Sequence, residues 1–341
     1  VLSASPRLAD KFGNVEAPIL FCVVLLLIGL INFIVFSVMD AKLDKQKGIV
    51  AGGESSEEFK VSDLGKIFSS KMFWFVALLC VLYYSAIFPF QKYAVNMLEC
   101  NLSLTEGTGF WASETVTIVQ YLIMLVVAIG SFASNFSKNP TAKYGLMGLA
   151  IVALISYCYM GYMRGSAESV FAVFPLLAVA ITPILGNYVD HKGKAASMLM
   201  IGSLLLIVCH LTFAFVLPMF RESAIGGTIV AYVTILVLGA SFSLVPAALW
   251  PSVPKLVDQK VIGSAYSLIF WIQNIGLWLF PLLIGRVLDA TNPELIDQLN
   301  AGIVTSEQAA VQYDYTWPLV MLACLGLAAF VISLILKVVD K

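Results

Sequence analysis

The stretch "GNYVDHKGK" (Gly186–Lys194) separates two apolar runs, "SVFAVFPLLAVAITPIL" before it and "AASMLMIGSLLLIVCHLTFAFVL" after it. Neither run holds an Asp, Glu, Lys or Arg. At 1.5 Å per residue, an uncharged helix of about 20 residues crosses a hydrocarbon core of ~30 Å. Two such runs joined by about six polar residues predict an antiparallel helical hairpin through a membrane. Asp190 is expected to end one helix, and Lys192 and Lys194 to open the next. An acid there can meet the positive N-terminal end of a neighbouring helix. Gly186 is expected to let a neighbouring helix approach, and Gly193 to take a positive φ at the turn.

The rest of the chain agrees. Of its 341 residues 60% are hydrophobic and only 12% charged, with a mean hydropathy of +0.92. A soluble domain carries about 25% charged residues, so this chain cannot clothe a water-facing surface. The sequence predicts an all-α polytopic membrane protein in contact with the lipid bilayer. Nine spans are expected, at about 17–39, 72–95, 115–136, 144–163, 169–189, 196–219, 224–249, 262–286 and 315–337. Between the first two lies a Gly-, Ser-, Glu- and Lys-rich segment, "DAKLDKQKGIVAGGESSEEFKVSDLGK", expected to be a linker with a short surface helix. Five of the six Cys, residues 22, 80, 158, 209 and 324, fall inside apolar runs, and Cys100 in a connection. None has disulfide-framework or metal-ligand spacing, and small buried side chains are the expected role.

The basic residues orient the spans. One set of alternate connections carries Lys42, Lys45, Lys47, Lys60, Lys66, Lys71, Lys138, Lys143, Lys192, Lys194, Lys255, Lys260, Lys337 and Lys341. The other set, with the start of the chain, carries Arg7, Lys11, Lys92, Arg164, Arg221 and Arg286. The positive-inside rule puts the first set, "VDHKGK" and the C-terminus in the cytoplasm. The acidic connection at 289–314 then falls outside. A net charge of −1 offers no argument for a nucleic-acid partner.

The spacing G-x-x-x-D-x-x-G-[KR], met by Gly186, Asp190, Gly193 and Lys194 with His191 in place of the usual base, resembles the signature loop of the major facilitator superfamily. "LLCVLYYSAIFPFQKYAV" (79–95) and "GASFSLVPAALWPSVPKLVDQKVIGSAYSLIFWIQNIGLWLFPLLIGRVLDA" (239–290) resemble one branch of it, which contains the lysosomal dipeptide transporter and bacterial relatives. The resemblance implies a major-facilitator helical bundle. Residues 1–40 would be the end of the N-terminal helical half, with the first span as its sixth helix. Residues 41–71 would be the cytoplasmic linker between halves, and 72–341 the C-terminal half. Helices one to four and most of five would lie upstream of Val1. The spans at 115–136 and 144–163 have no counterpart in a twelve-helix plan and form an extra hairpin. Gly186, Asp190, Gly193 and Lys194 would then be a gating motif.

Chemistry is sparse. No nucleophile elbow, phosphate loop or metal-ligand cluster is present, so neither a metal nor a cofactor is expected, and an enzyme is not the expected class. Transport needs polar and aromatic groups facing a central cavity. Tyr266, Phe270, Gln273 and Asn274 share a helical face, and amides facing lipid are costly. Tyr83, Tyr84, Phe88 and Gln91 add aromatic walls and an amide, and Lys92 a cation that either pairs with a substrate carboxylate or snorkels to the interface. Trp250 is read as interfacial, with a gating role as the weaker reading. His210 is the one ionisable group near the centre of a span, read first as a packing residue. Protons are an expected coupling ion if coupling resides upstream of this chain; otherwise a uniporter is expected. The expected function is secondary active or facilitative transport of small organic solutes, dipeptides included, by alternating access. A non-transporting receptor or scaffold on the same fold and a membrane-embedded enzyme are the alternatives. The bacterial relatives point to a bacterial inner membrane.

Overall fold

Ser113, Asn139 and Ser223 each stand just before a long apolar run, and each caps a helix. Their side chains accept from the backbone N–H of Val116 at 3.4 Å, Thr141 at 2.9 Å and Gly226 at 3.1 Å. Such caps satisfy N–H groups that the first helical turn leaves unpaired. Pro140 follows Asn139 at the first helical position, where its missing N–H costs nothing. The computed structural model describes residues 5–14, 16–46, 61–105, 107–257 and 261–339. Two units are defined, Val1–Lys60 and Val61–Lys341.

The first unit holds α1 (Ser5–Phe12) and α2 (Glu16–Gln46). The Asn14 side chain accepts from Ala17 N–H at 3.0 Å at the start of α2. Along α2 Leu, Ile, Val and Phe stand on every side of the helix, as a membrane-spanning helix requires. The expected linker at 47–60 lies outside the described residues, together with its Lys47 and Lys60.

The second unit runs α3 (Val61–Ser69), α4 (Lys71–Asn101), α5 (Glu114–Phe136), α6 (Pro140–Arg164), α7 (Ala167–Phe171), α8 (Val173–Lys192), α9 (Ala195–Leu211), α10 (Ala224–Leu249), α11 (Val253–Leu256), α12 (Ile262–Thr291), α13 (Pro293–Asn300), α14 (Ser306–Ala310) and α15 (Thr316–Val339). The short helix expected in the linker is α3. Among the described residues nine helical stretches are long and apolar enough to cross a membrane, at the nine expected places.

Helices α4, α9, α10 and α15 build the core. α4 packs on α12 and α15, α9 on α10 and α15, and α10 on α8. Glycines let helices approach closely: a Cβ on Gly239 of α10 would stand 3.0 Å from the Phe174 carbonyl and 3.3 Å from Leu177 Cβ of α8. The extra hairpin, α5 with α6, packs on itself and touches the bundle through α8 and α7. Beyond α9 the chain widens into a π-helical turn at Thr212–Val216, then tightens at Leu217–Phe220. Pro218 has no N–H to continue an α-helical ladder there.

Three expectations need correction. α4 runs on to Asn101 rather than ending near residue 95, so Cys100 lies buried in its last turn and not in a connection. The polar loop of about six residues is far shorter: α8 continues through Asp190, His191 and Lys192, leaving only Gly193 and Lys194 between helices. Gly193 has φ +67°, as expected, and Lys194 is itself left-handed at φ +62°. Finally, a Cβ on Gly186 would meet nothing within 4 Å. No described helix approaches that glycine, so it serves no close contact within this unit.

Candidate functional site

α4 and α12 lie side by side and present aromatic residues to one open face. On α4, Tyr84 and Phe88 stand one turn apart with their rings stacked at 5.3 Å. On α12, Tyr266 and Phe270 repeat the spacing. Between them stand Phe242 of α10 and Trp250, which directly follows α10. Phe242 meets Phe88 edge to face at 5.8 Å and Tyr84 at 6.3 Å. Trp250 stacks on Phe270 at 4.8 Å and lies 5.9 Å from Tyr266. Edge-to-face and offset arrangements at these separations are favourable for aromatic quadrupoles.

Two hydrogen bonds fix the cluster. The Trp250 indole N–H donates to the Tyr84 hydroxyl at 2.9 Å. The Tyr266 hydroxyl donates to the Trp250 backbone carbonyl at 2.9 Å. One indole thus ties α4 to α12 across the end of α10. Phe88, Phe242, Trp250 and Tyr266 are half-buried and Phe270 is 47% exposed, so the rings form a wall rather than a sealed core. Gln91 is half-buried and Lys92 exposed, one to two turns further along the same side of α4. Asn274 is exposed, with its amide N–H₂ donating to the Phe270 carbonyl at 2.8 Å.

The structure does not bring all of the expected residues to this face. Tyr83 is fully buried and its hydroxyl donates to the Leu199 carbonyl of α9. Gln273 is 7% exposed and its amide oxygen accepts from the Cys80 thiol at 3.1 Å. Both side chains join helices to one another. The reason is the width of the α4–α12 contact: one step of 100° separates Gln273, turned into it, from Asn274, turned out of it. Two rings of the wall go beyond the sequence reading, which does not single out Phe242 and takes Trp250 first as interfacial and only second as a gate. Their position two turns apart at the end of α10 was the available signal.

His210 sits where its packing role was expected. It is fully buried, its Nδ1 is 2.9 Å from the Leu206 carbonyl, and Phe90 lies edge-on at 5.3 Å. Of the four residues expected to form a gating motif, Gly193 and Lys194 form the α8–α9 turn, Gly186 faces open space, and the Asp190 side chain lies outside the described residues. No cluster of three or more His, Cys, Asp or Glu suited to a metal occurs among the described residues.

A second concavity, of about 570 Å³, lies at the opposite ends of the helices from that turn. Glu99 at the end of α4, Trp111, Arg164 and Glu168 line it. The extra hairpin thus contributes walls to it. Arg164 donates to the Thr117 hydroxyl at 2.8 Å, and Glu168 accepts from Ser166 at 2.7 Å.

These features define the class: the chain is an all-α polytopic membrane protein with an open aromatic and amide face. It is similar to named transporters. Over 238 residues it is 24% identical to the lysosomal dipeptide transporter MFSD1 of Homo sapiens, a match covering 70% of this chain and 36% of that protein. It is 26% identical over 239 residues to the Bos taurus protein of the same name, with the same coverage. Against the Gallus gallus protein it is 22% identical over 263 residues, covering 77% of this chain and 43% of the relative. The resemblance drawn from "GNYVDHKGK" and residues 239–290 therefore holds. The chain spans little more than a third of the length of the first relatives it matches. No family model matches the chain. No solved structure matches it either.

Proposed function

We propose that this chain is part of a secondary transporter of the major facilitator type, which carries small organic solutes by alternating access. Dipeptides are the proposed solute class, because the similar proteins are named dipeptide transporters. The observation that carries the reading is the open wall of Tyr84, Phe88, Phe242, Trp250, Tyr266 and Phe270, flanked by Gln91, Lys92 and Asn274. A water-filled cavity between two helical halves gives such polar and aromatic groups a purpose that lipid contact would not. In this reading α4 to α15 form the C-terminal half, α2 is the last helix of the other half, and residues 41–71 link the halves. The wall faces the cavity, and Lys92 stands ready for a solute carboxylate.

The lysine-rich connections point the α8–α9 turn and the C-terminus to the cytoplasm. That orientation is the same in a lysosomal membrane and in a bacterial plasma membrane. The relatives' names also argue against an enzyme. The sequence does not favour proton coupling over uniport: His210 is fully buried against Leu206 and Phe90.

The test is uptake by liposomes carrying the full-length protein. Saturable entry of a labelled dipeptide, competed by unlabelled dipeptide, is expected, and its dependence on a pH gradient reports coupling. Absence of saturable uptake of any small organic solute, under any gradient, sinks the reading and favours a receptor or scaffold.

A further inference from the structure

The direction of one hydrogen bond in the aromatic wall has a chemical consequence. An indole nitrogen only donates, so the 2.9 Å contact runs from Trp250 to the Tyr84 oxygen and in no other sense. The phenol's own proton is not used in it. Tyr84 is 9% exposed, and none of the described residues accepts from its hydroxyl. Around it lie the rings of Phe88, Phe242 and Trp250, which offer a hydroxyl no acceptor of comparable strength. In an open wall that proton is available to an oxygen brought against it.

Trp250 makes this donor stiff. Its carbonyl is held by the Tyr266 hydroxyl and its ring by Phe270. Accepting from Trp250 also polarises the phenol and strengthens its O–H as a donor. Of the two phenols in "YYSAIF", the neighbouring Tyr83 spends its proton on the Leu199 carbonyl. Tyr84 alone of the pair keeps a proton to give.

We propose that Tyr84 is the specificity-determining donor of the solute site: its hydroxyl donates to a carbonyl or carboxylate oxygen of the carried solute, with Trp250 as its positioning residue. The proposal rests on the transporter reading and names which atom of the solute this half of the protein recognises. It implies that solutes offering an acceptor oxygen at that place are preferred over those that lack one.

The experiment measures equilibrium binding to the full-length protein in detergent of labelled dialanine and of alanine N-ethylamide, an amide that keeps the peptide carbonyl and has no C-terminal oxygen. Tyr84→Phe is expected to weaken dialanine binding about 10-fold, the effect of about one well-made hydrogen bond. Trp250→Phe keeps the Tyr84 hydroxyl and most of the ring contact, so its expected loss is about threefold or less. Tyr84→Phe leaves the indole N–H without its acceptor. The double variant Tyr84→Phe/Trp250→Phe removes both partners and is expected to fold with the same 10-fold loss. If the Tyr84→Phe effect disappears with the amide, the acceptor is the carboxylate. If it is equal for both probes, the acceptor is the peptide carbonyl. Unchanged affinity in Tyr84→Phe and in the double variant overturns the proposal while leaving transport standing. So does a Trp250→Phe change that weakens binding as much in the Tyr84→Phe background as in the wild type, because its effect then does not pass through the Tyr84 hydroxyl. A wild-type protein that binds neither probe overturns both this proposal and the dipeptide reading.

Discussion

Gln273 and Asn274 are adjacent amides in a membrane helix, and the structure gives them opposite duties. Gln273→Ala removes four heavy atoms from the α4–α12 contact and leaves the Cys80 thiol without its acceptor at 3.1 Å. Large-to-small changes at buried sites cost about 2–5 kcal/mol, and a buried hydrogen bond contributes about 1 kcal/mol. The thiol is a weak donor, and a 7% exposed site relaxes a little, so the lower part of that range applies, about 2–3 kcal/mol. In a bundle of this size that lowers the midpoint of thermal unfolding by roughly 5 °C. Asn274→Ala loses only an exposed bond to the Phe270 carbonyl of its own helix, worth about 0.5 kcal/mol or less. Its expected effect is on solute binding. Tryptophan fluorescence during heating in detergent gives stability, and binding of labelled dialanine gives affinity. The expected pattern is a lowered midpoint with preserved affinity for Gln273→Ala, and the reverse for Asn274→Ala. A Gln273→Ala protein with an unchanged midpoint and weakened binding would refute the packing assignment and return Gln273 to the cavity.

Two further outcomes follow from particular geometries. Gly193 has φ +67° and ψ −130°, a region costly for any residue with a Cβ, so Gly193→Ala is expected to cost about 1–2 kcal/mol. Lys194→Gly, at φ +62°, is expected to be nearly neutral, and comparing the two unfolding midpoints checks both. At the other end of the helices, the Tyr315 hydroxyl donates to Asn96 at 2.5 Å, and burial holds its acidity weaker than that of a free phenol, with Cys100 and neighbouring groups adding to the shift. Because the raised value belongs to the folded state, the clamp's contribution is full below the ordinary phenol value of about 10 and fades as pH rises above it. Proteolysis of the 292–315 connection is expected to accelerate between pH 9 and pH 11 in the wild type. In Tyr315→Phe that acceleration is expected to shrink, its rate already being raised at pH 9.

The composition and the charge alternation were enough to place nine membrane-length helices, because the bilayer imposes its thickness directly on runs of apolar residues. "GNYVDHKGK" likewise announced a tight turn, since Gly193 is one of few residues that accept its backbone angles freely. Sequence could not say how far α8 runs into that turn. Polar residues at a membrane surface are equally at home in a last helical turn and in a loop. Nor could it separate Tyr83 from Tyr84 or Gln273 from Asn274. Each pair is chemically matched and adjacent, and a 100° step decides which member meets a neighbouring helix. That depends on the contact between α4, α9 and α12, which only the assembled tertiary structure supplies. The same assembly brings Phe242 and Trp250 of the α10 end to Tyr84 of α4, whose phenol proton meets no acceptor among the described residues.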